Sequence, residues 1–331
     1  MTRGKVRAAA IAVSAVVAAG TITACGSDNS GGGGSGGGSG DKGTIGVSVP
    51  TVQGPFFTAM LYGIKDEAKK MGYKVQVMDA GGYANVDQQA TQMNNLTTQQ
   101  VKAILVDPAD PTVIKAPVAQ AKSANIPVIG TGDPAPDANS NVSSSHCDIG
   151  KAMAAGTQKL LPQGGDIAVL AGPPGATWTT DRLKCFKEVL KGSNISIKAE
   201  KTSEPAVDQG VTIASDFLQR YPALDLLYGA DDTVGVGAAN AVKEANRCGK
   251  TKVLLAVLGE QAESLLKEGC VNYVVAQQTV LIGRQAVQTA DKLIQGQTVE
   301  QNIAVPLVDV TQDNVGSVDI STMREPAGYK P

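Results

Sequence analysis

The 331-residue chain holds one histidine, one tryptophan and four phenylalanines, and its charges nearly cancel at a formal −2. Each shortage excludes something. A lone His146 leaves no material for a histidine-built metal site or a histidine-based triad, and it reads as a surface or hinge residue without a role. The balanced charge provides no basic stripe, so nucleic acid is not an expected partner. The loops Gly130-x-Gly132 and Gly172-x-x-Gly175 do not continue into a phosphate-binding pattern that opens a helix, and they read as turn glycines. No G-x-S-x-G or metal-ligand spacing is present, so neither an enzyme nor a bound cofactor or metal is expected. Past the first 25 residues, no run is long and apolar enough to span a bilayer.

What is present begins with a leader. Arg3, Lys5 and Arg7 precede an apolar run of small residues from Ala8 to Ala19, and Ile22-Thr23-Ala24-Cys25 follows. That order matches a bacterial lipoprotein box, in which the cysteine is acylated and becomes the mature N-terminus. An ordinary secretory signal or a membrane anchor is the alternative, but the run is short for a span. From Gly26 to Gly40 the chain is almost pure Gly and Ser, a flexible tether with no capacity to form a core. Residues 1–24 are therefore expected to be a signal peptide and 25–42 a lipidated Cys25 with its tether, holding an exported domain at the membrane. Losing Arg3, Lys5 and Arg7 takes the net charge from −2 to −5. Export puts Cys147, Cys185, Cys248 and Cys270 in an oxidising compartment. Their even number permits three pairings, and sequence proximity favours Cys147–Cys185 and Cys248–Cys270; a zinc site has no CxxC spacing to build on.

From Gly43 onward, short β-branched runs alternate with helical patterns, the signature of parallel α/β architecture. The first such unit is Thr44–Val49, a turn through Gly54-Pro55, and a helix from Phe57 to Met71 closed by Gly72. The stretch after Asp107-Pro108 reads as a helix ending near Ala124, and Ile126–Ile129 as a strand. A polar stretch to Ser145 separates two similar halves. Helix Gly150–Leu161 opens the second half, and Ile303–Val310 closes it as one strand-like run. In a sheet of this kind, ligands dock beyond the carboxyl ends of the strands.

The ordered pieces resemble the type I periplasmic binding proteins, the ribose-binding-like substrate receptors of ABC sugar transporters. The pieces are Gly54-Pro55-Phe56-Phe57, Gly63-x-x-x-Glu67-Ala68-x-x-Met71-Gly72-Tyr73, Ala124–Ile129, Ala230-Asp231-Asp232-x-x-x-x-Gly237-Ala238, and Ala276-Gln277 with Ile282-Gly283. The resemblance covers residues 42–310. It implies two Rossmann-like α/β lobes with parallel sheets, joined by a three-segment hinge: 44–143 plus 280–305, and 147–276 plus 306–331. The crossovers are expected near Ser143–Cys147, Gln277–Val280 and Val305–Val310.

The resemblance also implies a ligand set. Phe56 and Phe57 match aromatic positions that stack on a sugar ring, Arg182 an arginine that donates to its oxygens, Asp231 an asparagine position, and Gln277 a hinge glutamine. Gln53, Asp133 and Trp178 lie where they can add contacts. Asp231-Asp232 also reads as a helix cap plus a first-turn acid, which accounts for Asp232 and leaves Asp231 for the ligand. The departures matter: Pro50 and Gly54 replace polar positions, Gly132-Asp133 replaces an Asp-Arg pair, and Leu258 stands at an acidic position, with Glu260 or Gln261 as substitutes. Those losses imply a less hydroxylated, larger or partly apolar ligand than ribose. The implied role is a monomeric, lipid-anchored receptor handing a sugar or polyol to an ABC permease; a sensor receptor of the same fold is the alternative.

Overall fold

The computed structural model describes residues 41–329, so the leader, Cys25 and nearly all of the tether lie outside the described residues. The first half of the chain runs β1 (Thr44–Val49), α1 (Pro55–Met71), β2 (Lys74–Asp79), α2 (Val86–Thr98), β3 (Ala103–Val106), α3 (Lys115–Ser123), β4 (Val128–Thr131) and β5 (Ser140–Ser143). The second continues with α4 (His146–Leu160), β6 (Gly165–Leu170), α5 (Thr177–Leu190), β7 (Ile195–Lys201), α6 (Val207–Arg220), β8 (Leu226–Gly229), α7 (Asp232–Glu244), β9 (Lys252–Ala256), α8 (Glu260–Lys267) and β10 (Tyr273–Gln277). It ends with α9 (Thr279–Ile294), β11 (Asn302–Ala304), β12 (Leu307–Val310) and a 3-10 turn at Ile320–Thr322.

These strands form two six-stranded sheets. The first has the order β11-β5-β4-β3-β1-β2 and is parallel throughout; the second, β12-β10-β9-β8-β6-β7, is parallel except for β12. Both faces of each sheet are covered, which is why the strands read as near-continuous apolar runs. In β3, Ala103 and Leu105 pack with Ile45, Val47 and helices α1 and α9, while Ile104 and Val106 pack with Met93, Leu96 and Val118 of α2 and α3. The second sheet repeats the arrangement, with Leu227, Val253 and Leu255 toward α6, α7 and α8, and Leu226, Tyr228 and Leu254 toward α4 and α5.

Helices α1 and α9 meet with no side chain between them. A Cβ at Gly63 would stand 2.2 Å from the Val280 carbonyl oxygen, and one at Gly283 would stand 2.3 Å from that of Met60. Only glycine permits that approach at either position.

Three segments cross between the sheets, and hydrogen bonds stitch them together. Ser144 Oγ donates to Val305 O at 2.8 Å, Val305 N to Ser143 O at 3.0 Å, and Gln278 Nε2 to Pro306 O at 3.1 Å. The run Ile303–Val310 is not one strand. Pro306, which has no N–H to give a ladder, interrupts it, so that Asn302–Ala304 pairs with β5 and Leu307–Val310 with β10. Three further readings change. Strand β5 occupies the stretch read as polar and irregular; α3 begins only at Lys115, after the Asp-Pro-rich turn; and α4 starts at His146, capped by Ser145 Oγ, which accepts from Asp148 N. The C-terminal tail adds Val315 and Met323 to the core beneath α7 and α8, then returns to α1, where Tyr329 meets Tyr62 edge-on with ring centroids 5.0 Å apart. Disulfides join Cys147 to Cys185 and Cys248 to Cys270. Among the described residues no helix is long and apolar enough to cross a membrane.

Candidate functional site

The carboxyl ends of the strands of both sheets face one another across a cleft of about 220 Å³. Ordinary small-molecule clefts begin near about 300 Å³, so this one suits a compact ligand. Its first wall is aromatic. Phe56 and Phe57 form the first turn of α1 behind Pro55, with ring centroids 5.2 Å apart and planes at 87°. Tyr83, from the turn between β2 and α2, lies 6.5 Å from Phe57 and 6.4 Å from Trp178 at the start of α5. The four rings thus run from one sheet's loops to the other's.

The second wall is polar. Asp107 follows β3 directly, Asp133 follows β4 after Gly132, and the Asp133 backbone N–H donates to Asp107 Oδ1 at 3.3 Å. Gly132 makes that approach possible: its φ is +78°, and a Cβ there would be 2.7 Å from Asp107 Oδ2 and 3.0 Å from the Phe56 ring. From the other side, the Arg182 guanidinium lies 4.6 Å from the Trp178 ring centroid, and its Nη1 donates to Ala230 O at 2.8 Å. Nη2 faces His146 Nδ1 at 3.4 Å, and His146 Nε2 pairs with the Asp133 carboxylate. One tautomer serves both contacts: a neutral ring that accepts from Arg182 at Nδ1 and donates to Asp133 from Nε2. His146 is therefore a member of the cleft linking the two lobes, which corrects its reading as a residue without a role.

Asp231 caps α7, its Oδ1 accepting from Val234 N at 2.9 Å, and Asp232 follows as the first-turn acid. Asp232 is buried in the first turn, and its Oδ2 has no partner. Burial raises the pKa of Asp107 well above the carboxylate range, with the Asp133 charge adding to it, and does the same for Asp232 with Asp231 adding. Burial also raises Asp231 and the Tyr83 phenol, and lowers Arg182.

Of the residues named from the sequence, Gln53, Phe56, Phe57, Asp133, Trp178, Arg182 and Asp231 line this cleft. Gln277 is not among the lining residues. It ends β10 at 1% exposure, with both amide atoms unpartnered. Glu260 and Gln261 line a separate hollow beside Pro55 and Thr58, and so do not replace an acidic contact here. Leu258 is packed in the core beneath α7, and the residue that reaches the cleft is Val257, with a φ of +70° rare for a β-branched side chain. Tyr83, Asp107 and Asp232 were not named as contacts. The signal for Asp107 was present, since it stands at a strand's carboxyl end as Asp133 does.

The description "Periplasmic binding protein domain" matches residues 45–298. The chain is 30% identical over 272 residues to the ribose import binding protein of Bacillus subtilis, covering 81% of this chain and 87% of that one. Its fold matches a solute-binding protein of an ABC transporter from Bacillus halodurans with bound myo-inositol, at a TM-score of 0.77 and 25% identity over 85% of this chain and 98% of the other. It also matches one from Agrobacterium vitis with bound D-fucose, at a TM-score of 0.79 and 23% identity over 85% of this chain and the whole of that one. Two parallel α/β lobes around one cleft, with these matches over most of the chain, make it a member of the type I periplasmic binding protein family, a solute-binding protein and not an enzyme.

Proposed function

We propose that the chain is the lipid-anchored receptor of an ABC importer, closing its two lobes over one sugar or polyol and presenting it to the permease. The observation that carries this is the cleft itself. Its roughly 220 Å³ are walled by Phe56, Phe57, Tyr83 and Trp178 and edged by Asp107, Asp133, Arg182 and Asp231, contributed from both sheets. Aromatic faces suit the C–H faces of a ring, while buried carboxylates and a guanidinium take its rim hydroxyls. A ligand touching both lobes stabilises the closed state over the open one by the difference in its contacts. The polar lining supports a hydroxylated ligand instead: the Asp107 and Asp133 carboxylates add acceptors beside those lost at Pro50, Gly54 and Leu258.

The anchor rests on the lipoprotein box at Cys25 and the Gly/Ser tether behind it. Transport rather than sensing is favoured by the ribose import relative. A thermal-shift screen of pentoses, hexoses and polyols tests the ligand class, with a specific ligand adding about 2.7 kcal/mol at a hundredfold excess over its Kd. No shift from any of them would remove the sugar reading. Fractionation of cells carrying Cys25→Ser tests the anchor: the variant is expected in the soluble extracytoplasmic fraction, and membrane retention equal to wild type would count against lipidation.

A further inference from the structure

The charge in the cleft is lopsided. Asp107, Asp133, Asp231 and Asp232 line it at 2–8% exposure, and Glu204 stands at its exposed edge. Against these five acids are one guanidinium and one imidazole, and both are already engaged. His146 pairs with Asp133, while Arg182 is held by Ala230 O, His146 and the Trp178 face. The Asp107 carboxylate accepts from the Asp133 backbone N–H and, among the described residues, from no side chain. Asp232, which lines both this cleft and the hollow beside Pro55, leaves its buried Oδ2 with no partner at all.

A carboxylate out of water without a counter-charge is costly, and a neutral polyol relieves only part of that cost. Its hydroxyls can donate to the carboxylate, but they leave the net charge in place. An ammonium group cancels charge and brings three N–H donors in charge-assisted bonds. The aromatic wall favours the same ligand, since the faces of Phe, Tyr and Trp attract cations. A metal ion is a poor substitute: among the described residues, no three His, Cys, Asp or Glu side chains are arranged to hold one.

We propose that the cleft selects a cationic polyol, an amino sugar or aminocyclitol, whose ammonium group lies against Asp107 and Asp232 within the aromatic wall while its hydroxyls take the remaining polar groups. This rests on the sugar-receptor reading and narrows it. Burial raises the pKa of both carboxyls, and a bound ammonium would reverse that, holding them ionised and satisfied.

The test is isothermal titration of the mature chain with matched pairs differing by one group: D-glucosamine against D-glucose, D-galactosamine against D-galactose, and an aminodeoxyinositol against myo-inositol. At pH 6, at least one amine is expected to bind about tenfold tighter than its hydroxyl partner. Asp107→Asn and Asp232→Asn, checked for folding by their melting curves, should each shrink that ratio. The wild-type ratio stands as evidence even if a variant fails to fold. A hydroxyl partner that binds as tightly or tighter in every pair overturns the inference and leaves the sugar receptor intact. An unchanged ratio in both folded variants overturns the assignment to these two carboxyls. If none of the six compounds binds, the inference falls together with the reading beneath it.

Discussion

The two lobes have the same sheet order and nearly the same helices, yet they are fastened and equipped differently. In the first, the helix pair nearest the hinge, α1 with α9, is held by backbone contact at Gly63 and Gly283. In the second, α4 and α5 meet in the same way at Gly150, where a Cβ would stand 2.1 Å from Arg182 O, but Cys147–Cys185 joins them as well, and Cys248–Cys270 ties the loop after α7 to the segment leading into β10. The first lobe supplies three of the four aromatic rings and the Asp107–Asp133 pair; the second supplies the guanidinium. Cys147 follows His146, and Cys185 lies one turn after Arg182. The first staple therefore stands directly behind Arg182 and His146, the guanidinium and the imidazole that face the acids. Duplication explains the framework, and the difference lies in where rigidity was added: behind the charged wall, not behind the aromatic one.

Removing the guanidinium should break this arrangement most severely. Arg182→Met keeps the stem over Trp178 but leaves Asp133 and Asp231 without their cation. Losing the buried charged donor that serves Ala230 O, and whose charge reaches both acids, costs about 3 kcal/mol, readable as a lower urea midpoint in the unliganded protein, together with loss of ligand binding. A midpoint unchanged from wild type would show that the acids do not depend on Arg182. Next come the staples. Their loops of 38 and 22 residues should each contribute about 3–4 kcal/mol on a chain-entropy estimate. The paired serine variants should thus lose similar stability, but only Cys147→Ser/Cys185→Ser should also weaken ligand affinity, because only that pair positions His146 and Arg182. Equal affinities in the two double variants would detach the staple from the site.

Much of this frame was legible from the sequence because both faces of each sheet are buried. Ala-Ile-Leu-Val at 103–106 can hardly be anything else, and Gly72 marks a helix end through its left-handed backbone, with a φ of +84°. What escaped was decided by tertiary contact. Ser140–Ser143 has one apolar residue, and becomes a strand because Asn141 N donates to Gln301 O across the sheet. The first turn of α4 carries no periodic signal of its own. At the site, Phe56, Trp178 and Arg182 could be named from a pattern of residue types in order. Tyr83 and His146 could not, since each is brought in by a loop or crossover whose path depends on the other lobe. Gln277 shows the converse: its place in the order matches the family, but it is buried and is not among the residues lining the cleft.

The aromatic walls offer a finer comparison. Phe56 is half-buried and packs on Phe57, whereas Trp178 is 6% exposed and carries the Arg182 guanidinium on its face. Phe56→Ala should raise the ligand Kd about tenfold to a hundredfold with a small change in melting temperature. Trp178→Ala should raise it as much and also lower the melting temperature, because Arg182 loses its support. If the two variants melted alike, the cation–π contact would carry no stability.

The smallest effect concerns pH and separates two kinds of acid. On the outer surface, burial at Asp66 is outweighed by Lys70 and Arg284, and at Glu263 by Lys267 and Arg324, so both pKa values are lowered. Their stabilisation is present above the unfolded carboxylate range, and it is lost as pH falls below it. Asp107, Asp231 and Asp232 are raised by burial, so the folded unliganded protein binds more protons than the unfolded chain between about pH 4 and their raised values. Over that window stability must fall as pH rises. Asp107→Asn, which keeps the shape and removes the charge, should therefore melt above wild type at pH 8, by about 2–4 °C if the charge costs about 1 kcal/mol. The two proteins should converge near pH 4, where the wild-type carboxyl is protonated. A variant that melted below wild type at pH 8 would mean that Asp107 already has its counter-charge within the chain, and the first lobe's acids would then be structural partners and not half of a ligand site.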